Sequence, residues 1–462
     1  MPEAAVAGDA TRVFPLELDR IYPVVVRGEG VWVEDAAGKW YLDAMSGGSM
    51  AATLGHGRRD IIAAARTQAQ QLSYVHNERL TNPVRERLAA ELIEVAPAGM
   101  TRVRFTTGGA ESNEMALQMA RSYHVERGDT QRWHVISPAQ AYHGPSMATL
   151  ALTGRPGLQR PFGPYLSPST VQGGGRELGQ PFHHIPPSTW RFDPTGKAAL
   201  EALDRVLEEV GPENVSAYFC EPITAAALPA YSPPELFWRG LAERRDKHGF
   251  LICYDEVVTG IGRTGHWFAA EKLPLVPDII ATAKGLGAGY AAIGGVICSD
   301  RIYQAFANGS RKFTPGHTWD GAPVSCAVGL RVIEALREEG LIERMRTKGP
   351  QLRDELSAAL ADIPLVHEVR GHGFLLGVEY VDPRDGESFL PPELGTARRV
   401  DLTAMDLGLI VYSTMPTRDG YAGDQTLFAP PFTTTDEELT QMVERFAETI
   451  RTVARSVESE LR

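Results

Sequence analysis

Short apolar runs alternate with longer amphipathic stretches through most of the chain. Between about residues 60 and 320, stretches such as Ile61–Gln71 and Val84–Val95 repeat apolar side chains with a helical period. The runs between them are short and almost wholly apolar, which is typical of strands covered by helices on both faces. The predicted strands are Val103–Phe105, His134–Ile136, Val215–Cys220, Leu251–Tyr254, Ile279–Ala283 and Gly295–Cys298. This alternation predicts an α/β fold with a large, doubly wound, mostly parallel sheet.

The two ends of the chain have a different pattern. Val31–Asp35 and Lys39–Leu42 flank a short turn and predict a β-hairpin. Beyond a helical pattern over about 322–339, short apolar strands predicted near 373–380, 409–412 and 427–428 indicate a smaller α+β domain. We therefore divide the chain into an N-terminal segment that joins the small domain (1–60), a large domain (61–325) and a C-terminal small domain (326–462).

One long span lacks any clear periodicity. Residues 154–194 are rich in Pro and Gly, which indicates a surface loop that either passes over the site or is a plain connection. The adjacent His183 and His184 are interpreted as a loop pair.

Composition excludes several classes of function. The chain has 462 residues, 43% of them hydrophobic, which is enough for a sizeable core. Its net charge of −12 argues against a nucleic-acid partner, and no apolar run approaches the ~18 residues needed to span a bilayer. Three of its cysteines, Cys220, Cys253 and Cys298, fall in predicted strands, which predicts reduced thiols in a cytoplasmic protein. Without metal-binding or P-loop motifs, small molecules are the expected partners and no metal is expected.

Two predicted strands end in side chains that suit one cofactor. Asp255 closes the run Leu251–Tyr254, and Lys284 closes Ile279–Ala283. Ligands of open α/β sheets bind beyond the carboxyl ends of such strands. A carboxylate and an amine at that edge could hold the pyridine nitrogen and the aldehyde of pyridoxal phosphate from opposite ends. The alternative is a structural carboxylate and a solvated lysine.

Two further features lie at the same predicted edge. Gly108-Gly109-Ala110 follows a strand and opens a helix, so its backbone N–H groups could bind a phosphate, although an ordinary tight turn explains the pattern equally well. Tyr142, followed by His143, offers an aromatic face that could stack on a planar ring or serve only for packing.

The run Gly260–Gly265 matches the dinucleotide pattern G-x-G-x-x-G, but its context does not. That fingerprint needs a strand directly before it and a helix directly after it. Here Asp255–Val258 intervenes, and Pro274 and Pro277 follow soon after. We interpret the run as a glycine-rich loop beyond a catalytic strand.

Taken in order, these motifs resemble the class III aminotransferases. The resemblance covers nearly the whole chain and rests on Tyr41-Leu42-Asp43, Leu54–Gly57, the glycine turn, Tyr142-His143-Gly144, Glu221-Pro222-Ile223, Leu251–Gly265, Asp278 with Lys284, and Gly316-His317-Thr318. It implies the pyridoxal-phosphate-dependent transferase fold type I. It also implies an ω-type transaminase that moves an amino group from an amine or amino acid to a keto acid such as pyruvate by a ping-pong mechanism.

The resemblance assigns a role to each matching residue. Lys284 would form the Schiff base and carry the proton, and Asp255 would keep the pyridine nitrogen protonated. Tyr142 would stack on the ring, with Val257 on the opposite face. The remaining positions implied to bind the cofactor are Gly108, Gly109, Ala110, His143, Glu221 and Thr318. Thr318 would reach the phosphate of a neighbouring subunit, which implies a homodimer.

Departures from the family pattern concern the phosphate and the substrate. The glycine turn lacks the two serine hydroxyls common in the family, and Thr224–Ala227 lacks the glutamate that pairs with a gating arginine in the ornithine and γ-aminobutyrate branch. At Val258 the sequence resembles the pyruvate-linked ω-transaminases instead. Those enzymes bind a carboxylate with a mobile arginine, for which Arg418 is the candidate here. A racemase, epimerase or decarboxylase on the same fold, and a cofactor-binding scaffold without catalysis, remain as alternatives.

Overall fold

A computed structural model describes residues 5–7, 10–166, 181–417 and 420–462. The strands are β1 Ala5–Ala7, β2 Ile21–Pro23, β3 Val25–Glu29, β4 Trp32–Asp35, β5 Trp40–Asp43, β6 Met100–Thr106, β7 His134–Pro138, β8 Phe182–Ile185, β9 Val215–Cys220, β10 Leu251–Asp255, β11 Ile279–Thr282, β12 Gly294–Ser299, β13 Val366–His372, β14 Leu375–Tyr380, β15 Leu409–Ile410, β16 Tyr412–Thr414 and β17 Gln425–Phe428. The helices are α1 Arg59–Gln71, α2 Pro83–Val95, α3 Gly109–Glu126, α4 Met147–Leu152, α5 Pro156–Gln159, α6 Gly163–Leu166, α7 Lys197–Val210, α8 Glu235–His248, α9 Asp300–Asn308, α10 Pro323–Glu338, α11 Leu341–Leu360, α12 Thr396–Asp406 and α13 Asp436–Leu461.

The central sheet has the order β6-β12-β11-β10-β9-β7-β8. Its pairs are parallel from β11 through β8, and β12 runs antiparallel to both neighbours. Strand β10 shows why the run is continuously apolar, because Ile252 and Tyr254 enter one hydrophobic core while Leu251 and Cys253 enter another on the opposite face. The predicted α/β fold with a large, mostly parallel sheet is confirmed.

The described ends of the chain form three smaller sheets, of which the smallest is the antiparallel pair β1-β2. The predicted hairpin is present as β4 and β5, and its sheet has the order β15-β5-β4-β3, so that the C-terminal β15 pairs with the N-terminal β5. The third sheet is antiparallel and has the order β13-β14-β17-β16. The single strand predicted over 409–412 is wrong, because the chain moves from one sheet to the other between Ile410 and Tyr412.

The span over 154–194 is more ordered than its sequence predicts. Strand β8 pairs in parallel with β7, and His183 and His184 lie within it, so their interpretation as a loop pair is wrong. His184 is half-buried and its Nδ1 lies 2.9 Å from Ser137 Oγ. Ordinary hydrogen bonding to the adjacent strand therefore accounts for this polar edge strand.

None of the helices in the described ranges is both long and apolar enough to cross a membrane.

Candidate active site

Four parallel strands deliver side chains to one edge of the central sheet. Tyr142 follows β7, Glu221 follows β9, Asp255 ends β10 and Lys284 follows β11. The register of β10 and β11 sets Asp255 opposite Ala281, so Lys284 lies three residues further along the neighbouring strand. The structure thus brings the predicted acid, amine and aromatic residue to the carboxyl edge where ligands of such sheets bind.

The Asp255 carboxylate is 4% exposed and is held by three donors. Asn113 Nδ2 donates to Oδ2 at 2.7 Å, His143 Nδ1 lies 2.8 Å from the same oxygen, and the Val257 N–H donates to Oδ1 at 3.0 Å. Asn113 also donates to the His143 carbonyl at 2.8 Å. A buried charge needs such partners, and together they fix the orientation of the carboxylate.

Lys284 begins a short 3₁₀ turn directly after β11 and has a positive φ of +36°. A residue other than glycine held in this region costs on the order of 1–3 kcal/mol, and such strain concentrates at functional sites. Burial lowers the pKa of the Lys284 amine, against the opposing influence of Asp255 and Glu221, which raise it. No hydrogen bond or ion pair holds the amine within the described part of the chain, so it is available to react.

Glu221 is a buried carboxylate that joins two walls of the site. Its Oε2 accepts the Tyr142 N–H at 3.1 Å and its Oε1 accepts the Ala225 N–H at 3.1 Å. Burial raises the pKa of Glu221 to about 7. Glu221 therefore links the backbone of Tyr142 to the segment that begins at Ala225 and continues through Ala226 and Ala227.

The glycine turn begins helix α3 and packs closely on its neighbours. A Cβ added to Gly109 would lie 2.7 Å from Val257 Cγ1, and one added to Gly144 would lie 2.7 Å from Ala110 Cβ. A Cβ on Gly108 would meet no atom within 4 Å. The first N–H groups of a helix have no intrahelical partner, so this turn can bind an anion.

The loop that contains Gly260–Gly265 positions a buried cation. Arg263 is 1% exposed, and its guanidinium donates to the carbonyls of Phe374 and Pro430 at 3.1 and 2.7 Å. It also donates to Ser46 Oγ at 2.9 Å. Burial lowers the pKa of Arg263 to about 9. The guanidinium thus ties the loop beyond β10 to the C-terminal sheet and to the loop after β5.

Comparison with known proteins agrees with this geometry. The sequence matches the class III aminotransferase family over residues 14–450. The chain belongs to the class III aminotransferases. It is 36% identical over 99% of its length to a probable aminotransferase of Mycobacterium tuberculosis, of which 95% is covered. It is 32% identical over 91% of its length to a putrescine–pyruvate aminotransferase of Pseudomonas aeruginosa, of which 88% is covered.

Solved structures extend the comparison to the fold. An (S)-enantioselective ω-transaminase from Thermomicrobium roseum superposes with a TM-score of 0.85 at 35% identity, covering 96% of this chain and 97% of that one. An amine transaminase from an uncultivated Pseudomonas species in its pyridoxal-phosphate-bound form has a TM-score of 0.82 at 28% identity, covering 93% and 94%. This aminotransferase therefore has the fold type I architecture and depends on pyridoxal phosphate.

The residues of this aminotransferase fit that cofactor. Among the described residues, Asp255 Oδ1 accepts only the Val257 N–H, which leaves a lone pair for a protonated ring nitrogen. The open space at Gly108 and the helix N-terminus beside it suit a phosphate. Loss of the serine hydroxyls leaves this phosphate site to backbone N–H groups.

Two predicted residues lie apart from this group. Thr318 is exposed, and its carbonyl accepts the Tyr74 hydroxyl at 3.1 Å. Asp320, two residues further along, is buried and anchors the segment, because its Oδ2 lies 2.7 Å from Arg104 Nε in an ion pair and its Oδ1 accepts the Phe105 N–H at 3.1 Å. Arg418 lies outside the described residues.

Asn113 is the site residue that sequence reasoning did not find. It lies one turn into α3, four residues after Gly109, and is 1% exposed. The available signal was that Asn113 is an amide in the first turns of a helix that begins at the sheet edge. A buried amide at such a place needs hydrogen-bond partners. Its partners come from β10 and from the segment after β7, which the sequence separates widely.

Proposed function

We propose that this aminotransferase moves an amino group from an amine or amino-acid donor to a keto acid such as pyruvate in two successive half-reactions. The observation that carries the proposal is the arrangement of Lys284 and Asp255 at the carboxyl ends of adjacent parallel strands. The amine is unpaired among the described residues, and the carboxylate is held by three donors. The pyruvate arm gains support from the similarity to the putrescine–pyruvate enzyme.

Lys284 Nζ is the group that moves the proton. Bound pyridoxal phosphate supplies an electron sink for the electron pair of the broken substrate Cα–H bond. Lys284 Nζ would take that proton from the substrate Cα, which requires the neutral amine, and would deliver it to the aldehyde carbon of the cofactor. An ordinary lysine, with a pKa of about 10.4, is almost wholly protonated at pH 7. Burial lowers the pKa of Lys284 and so increases the fraction that can act as a base.

The other residues of the site would orient the cofactor and polarise its ring. Asp255 keeps a positive charge on the ring nitrogen, and Asn113 and His143 hold the carboxylate in place for that task. Tyr142 and Val257 flank the ring. The N–H groups of Gly109 and Ala110 bind the phosphate at the start of α3.

We further propose a homodimer in which Thr318 contacts the phosphate of the partner subunit. Its support is that Thr318 and Trp319 are exposed, with 53% of Trp319 accessible, although an anchored segment carries them. A large aromatic left in water is typical of an interface residue. Cytoplasmic location and recognition of a substrate carboxylate by Arg418 stay predictions.

The test is a pair of half-reactions on the protein loaded with pyridoxal phosphate. A panel of amines and amino acids should bleach the visible absorbance of the bound cofactor, and pyruvate should restore it with formation of alanine. Lys284→Ala is the control and should do neither. If a donor is instead returned inverted or decarboxylated, with no amino group passed to pyruvate, the racemase or decarboxylase alternative replaces transamination.

A further inference from the structure

Arg263 is a buried cation whose positive charge has no part in the reaction above. Its guanidinium is 1% exposed, and the acceptors of its hydrogen bonds are two carbonyls and a hydroxyl, all of them uncharged. Among the described residues, no carboxylate pairs with it and its Nε has no hydrogen-bond partner. Arg370 on β13, by contrast, pairs with Glu368 and Glu379 at 2.6 Å each. A buried cation without such a partner is costly, so its charge requires an explanation beyond hydrogen bonding.

Asp43 is the carboxylate whose charge acts on Arg263, and it compensates the guanidinium only in part. Burial raises the pKa of Asp43, against the N–H groups of Gly47 and Met45 that donate to its two oxygens. A carboxylate with a raised pKa holds less negative charge near neutral pH. The guanidinium therefore keeps a positive charge that its own surroundings do not cancel.

Two lines of contact place this guanidinium behind the turn that carries Lys284. Along its own loop, Ile261 lies against that turn, because a Cβ added to Gly285 would be 3.4 Å from Ile261 Cβ. On the other side, the guanidinium lies over the Phe432 ring, 4.6 Å from its centroid. The Phe432 N–H donates to the Thr53 carbonyl at 2.7 Å, and Thr53 Cγ2 would be 3.6 Å from the same added Cβ. Both lines end at the residue that follows the reacting lysine.

The charges that act on the Lys284 amine come from three neighbouring segments. Burial has the largest effect on its pKa and lowers it, whereas Asp255 at the end of β10 and Glu221 after β9 raise it. Arg263, on the loop after β10, lowers it in the same direction as burial. Burial lowers the pKa of Arg263 to about 9, which still leaves the guanidinium charged at pH 7. Arg263 is thus the cation that opposes the two carboxylates.

We propose that Arg263 is a positioning residue that holds an uncompensated positive charge behind the turn of Lys284 and so keeps the reacting amine neutral. A neighbouring cationic group is one way in which proteins activate a lysine. The hydrogen bonds to Ser46, Phe374 and Pro430 fix where the charge lies, because they leave the guanidinium little freedom to move. The inference rests on the proposed function, in which the neutral lysine is the base.

The test measures how fast the cofactor-free protein takes up pyridoxal phosphate between pH 6 and pH 9, from the absorbance of the bound form. Uptake needs the neutral amine of Lys284, so its rate rises with pH as the amine loses its proton. Arg263→Gln removes the charge but keeps an amide donor, and Arg263→Lys keeps a charge with fewer donors. Arg370→Gln is the matched control, because it removes a buried arginine whose charge two carboxylates compensate.

Arg263→Gln should take up the cofactor about 3- to 30-fold more slowly than the wild type at pH 7, because a nearby charge shifts an ionisation equilibrium by such factors. The difference should narrow as the pH rises and the amine becomes neutral in both proteins. Arg263→Lys should keep most of the rate, and Arg370→Gln should show the wild-type pH dependence. Equal slowing of both Arg263 variants at every pH would overturn the proposal, since lost structure alone has that effect.

Glu221→Gln gives the reciprocal test, and it decides the matter should Arg263→Gln not fold. Burial raises the pKa of Glu221 to about 7, so at pH 8 the wild type carries a negative charge there that the variant lacks. Because this charge raises the pKa of Lys284, the variant should take up the cofactor faster than the wild type at pH 8. An unchanged rate would show that flanking charges do not control the amine, and the proposal would fail.

Half-reactions with amine donors are measured on the same proteins. If no donor reacts with any of them while uptake still follows the charge at position 263, the proposed transamination fails and the role of Arg263 stands. If the wild type transfers amino groups while uptake by Arg263→Gln keeps the wild-type pH dependence, the role of Arg263 fails and transamination stands.

Discussion

Gly109 and Val257 provide a quantitative test of how the cofactor site is built. Replacing Gly109 by alanine would place a Cβ 2.7 Å from Val257 Cγ1 and 3.1 Å from Cγ2. Carbon atoms in contact lie about 3.5–4.0 Å apart, so the valine or helix α3 must move by roughly 1 Å. Val257 lies two residues after Asp255, and its N–H donates to the Asp255 carboxylate. The displacement therefore changes the wall of the site and its carboxylate together.

The expected cost follows from overpacking. Forcing an extra methyl group into a packed contact costs about 1–3 kcal/mol, which corresponds to roughly 5- to 150-fold weaker binding of pyridoxal phosphate if the displaced wall must be restored on binding. Intrinsic helix propensity opposes this, because alanine is favoured over glycine in helices by up to ~1 kcal/mol. Combining Gly109→Ala with Val257→Ala separates the two effects, since this double variant keeps the alanine but removes the Val257 methyl groups that the new Cβ would meet.

The assay titrates cofactor-free protein with pyridoxal phosphate and records the absorbance of the bound form. Gly109→Ala should bind pyridoxal phosphate more weakly than the wild type. Adding Val257→Ala to Gly109→Ala should restore most of the affinity, because the smaller side chain leaves room for the new methyl group. A double variant as weak as Gly109→Ala, or a single variant with wild-type affinity, would refute the packing argument.

Two further predictions concern buried charges. Burial lowers the pKa of Lys284 below its unfolded value, so the lysine destabilises the fold at neutral pH and does so less as the pH rises toward 10. Cofactor-free Lys284→Met should therefore melt at a higher temperature than the wild type at pH 7, and the difference should narrow toward pH 10. The variant should also lose amino transfer. Because burial raises the pKa of Glu221 to about 7, the wild type should lose up to ~3 kcal/mol of stability as pH rises from 4.5 to 7. Glu221→Gln loses one of the two oxygens that accept backbone N–H groups, which costs about 1–3 kcal/mol of stability. Because only the wild type loses stability as the pH rises, the difference in melting temperature between the variant and the wild type should shrink between pH 5 and pH 8. A constant difference would contradict this.

The central sheet was predictable because its strands are specified locally. Each parallel strand is buried on both faces, so its sequence is continuously apolar, and the chemical residues follow where the apolar run ends. Asp255 and Lys284 could be placed at one edge by this rule alone. Strand β8 breaks the rule, because its Phe-His-His-Ile sequence is polar and it lies at the edge of the sheet. An edge strand pairs with one neighbour only, and its polar side chains can form hydrogen bonds at the open side of the sheet. A search for continuously apolar runs therefore does not find it.

The contacts within the site could not be read from the sequence for a different reason. Asn113, His143 and Asp255 come from a helix, a loop and a strand, and only tertiary packing brings them within hydrogen-bond distance. The predicted loop around Gly260–Gly265 is correct in kind, but no local pattern shows that its arginine is buried against carbonyls of the C-terminal part of the chain. Long-range partners of polar side chains are the information that periodicity lacks.

Backbone strain and buried charge concentrate at the same place in this protein. Lys284, Ser46 and Ile261 all have positive φ values. Their segments lie close together, since a Cβ added to Gly285 would be 3.4 Å from Ile261 Cβ and one added to Gly289 would be 3.2 Å from Ala52 Cα. Ser46 is fixed by the buried guanidinium of Arg263, whose own charge lowers the pKa of Lys284. Each such feature costs free energy, and the surrounding core offsets it. Burial has the largest effect on the pKa of Lys284 and lowers it, and the charge of Arg263 acts in the same direction, so the packing that holds the site in place also favours the neutral lysine.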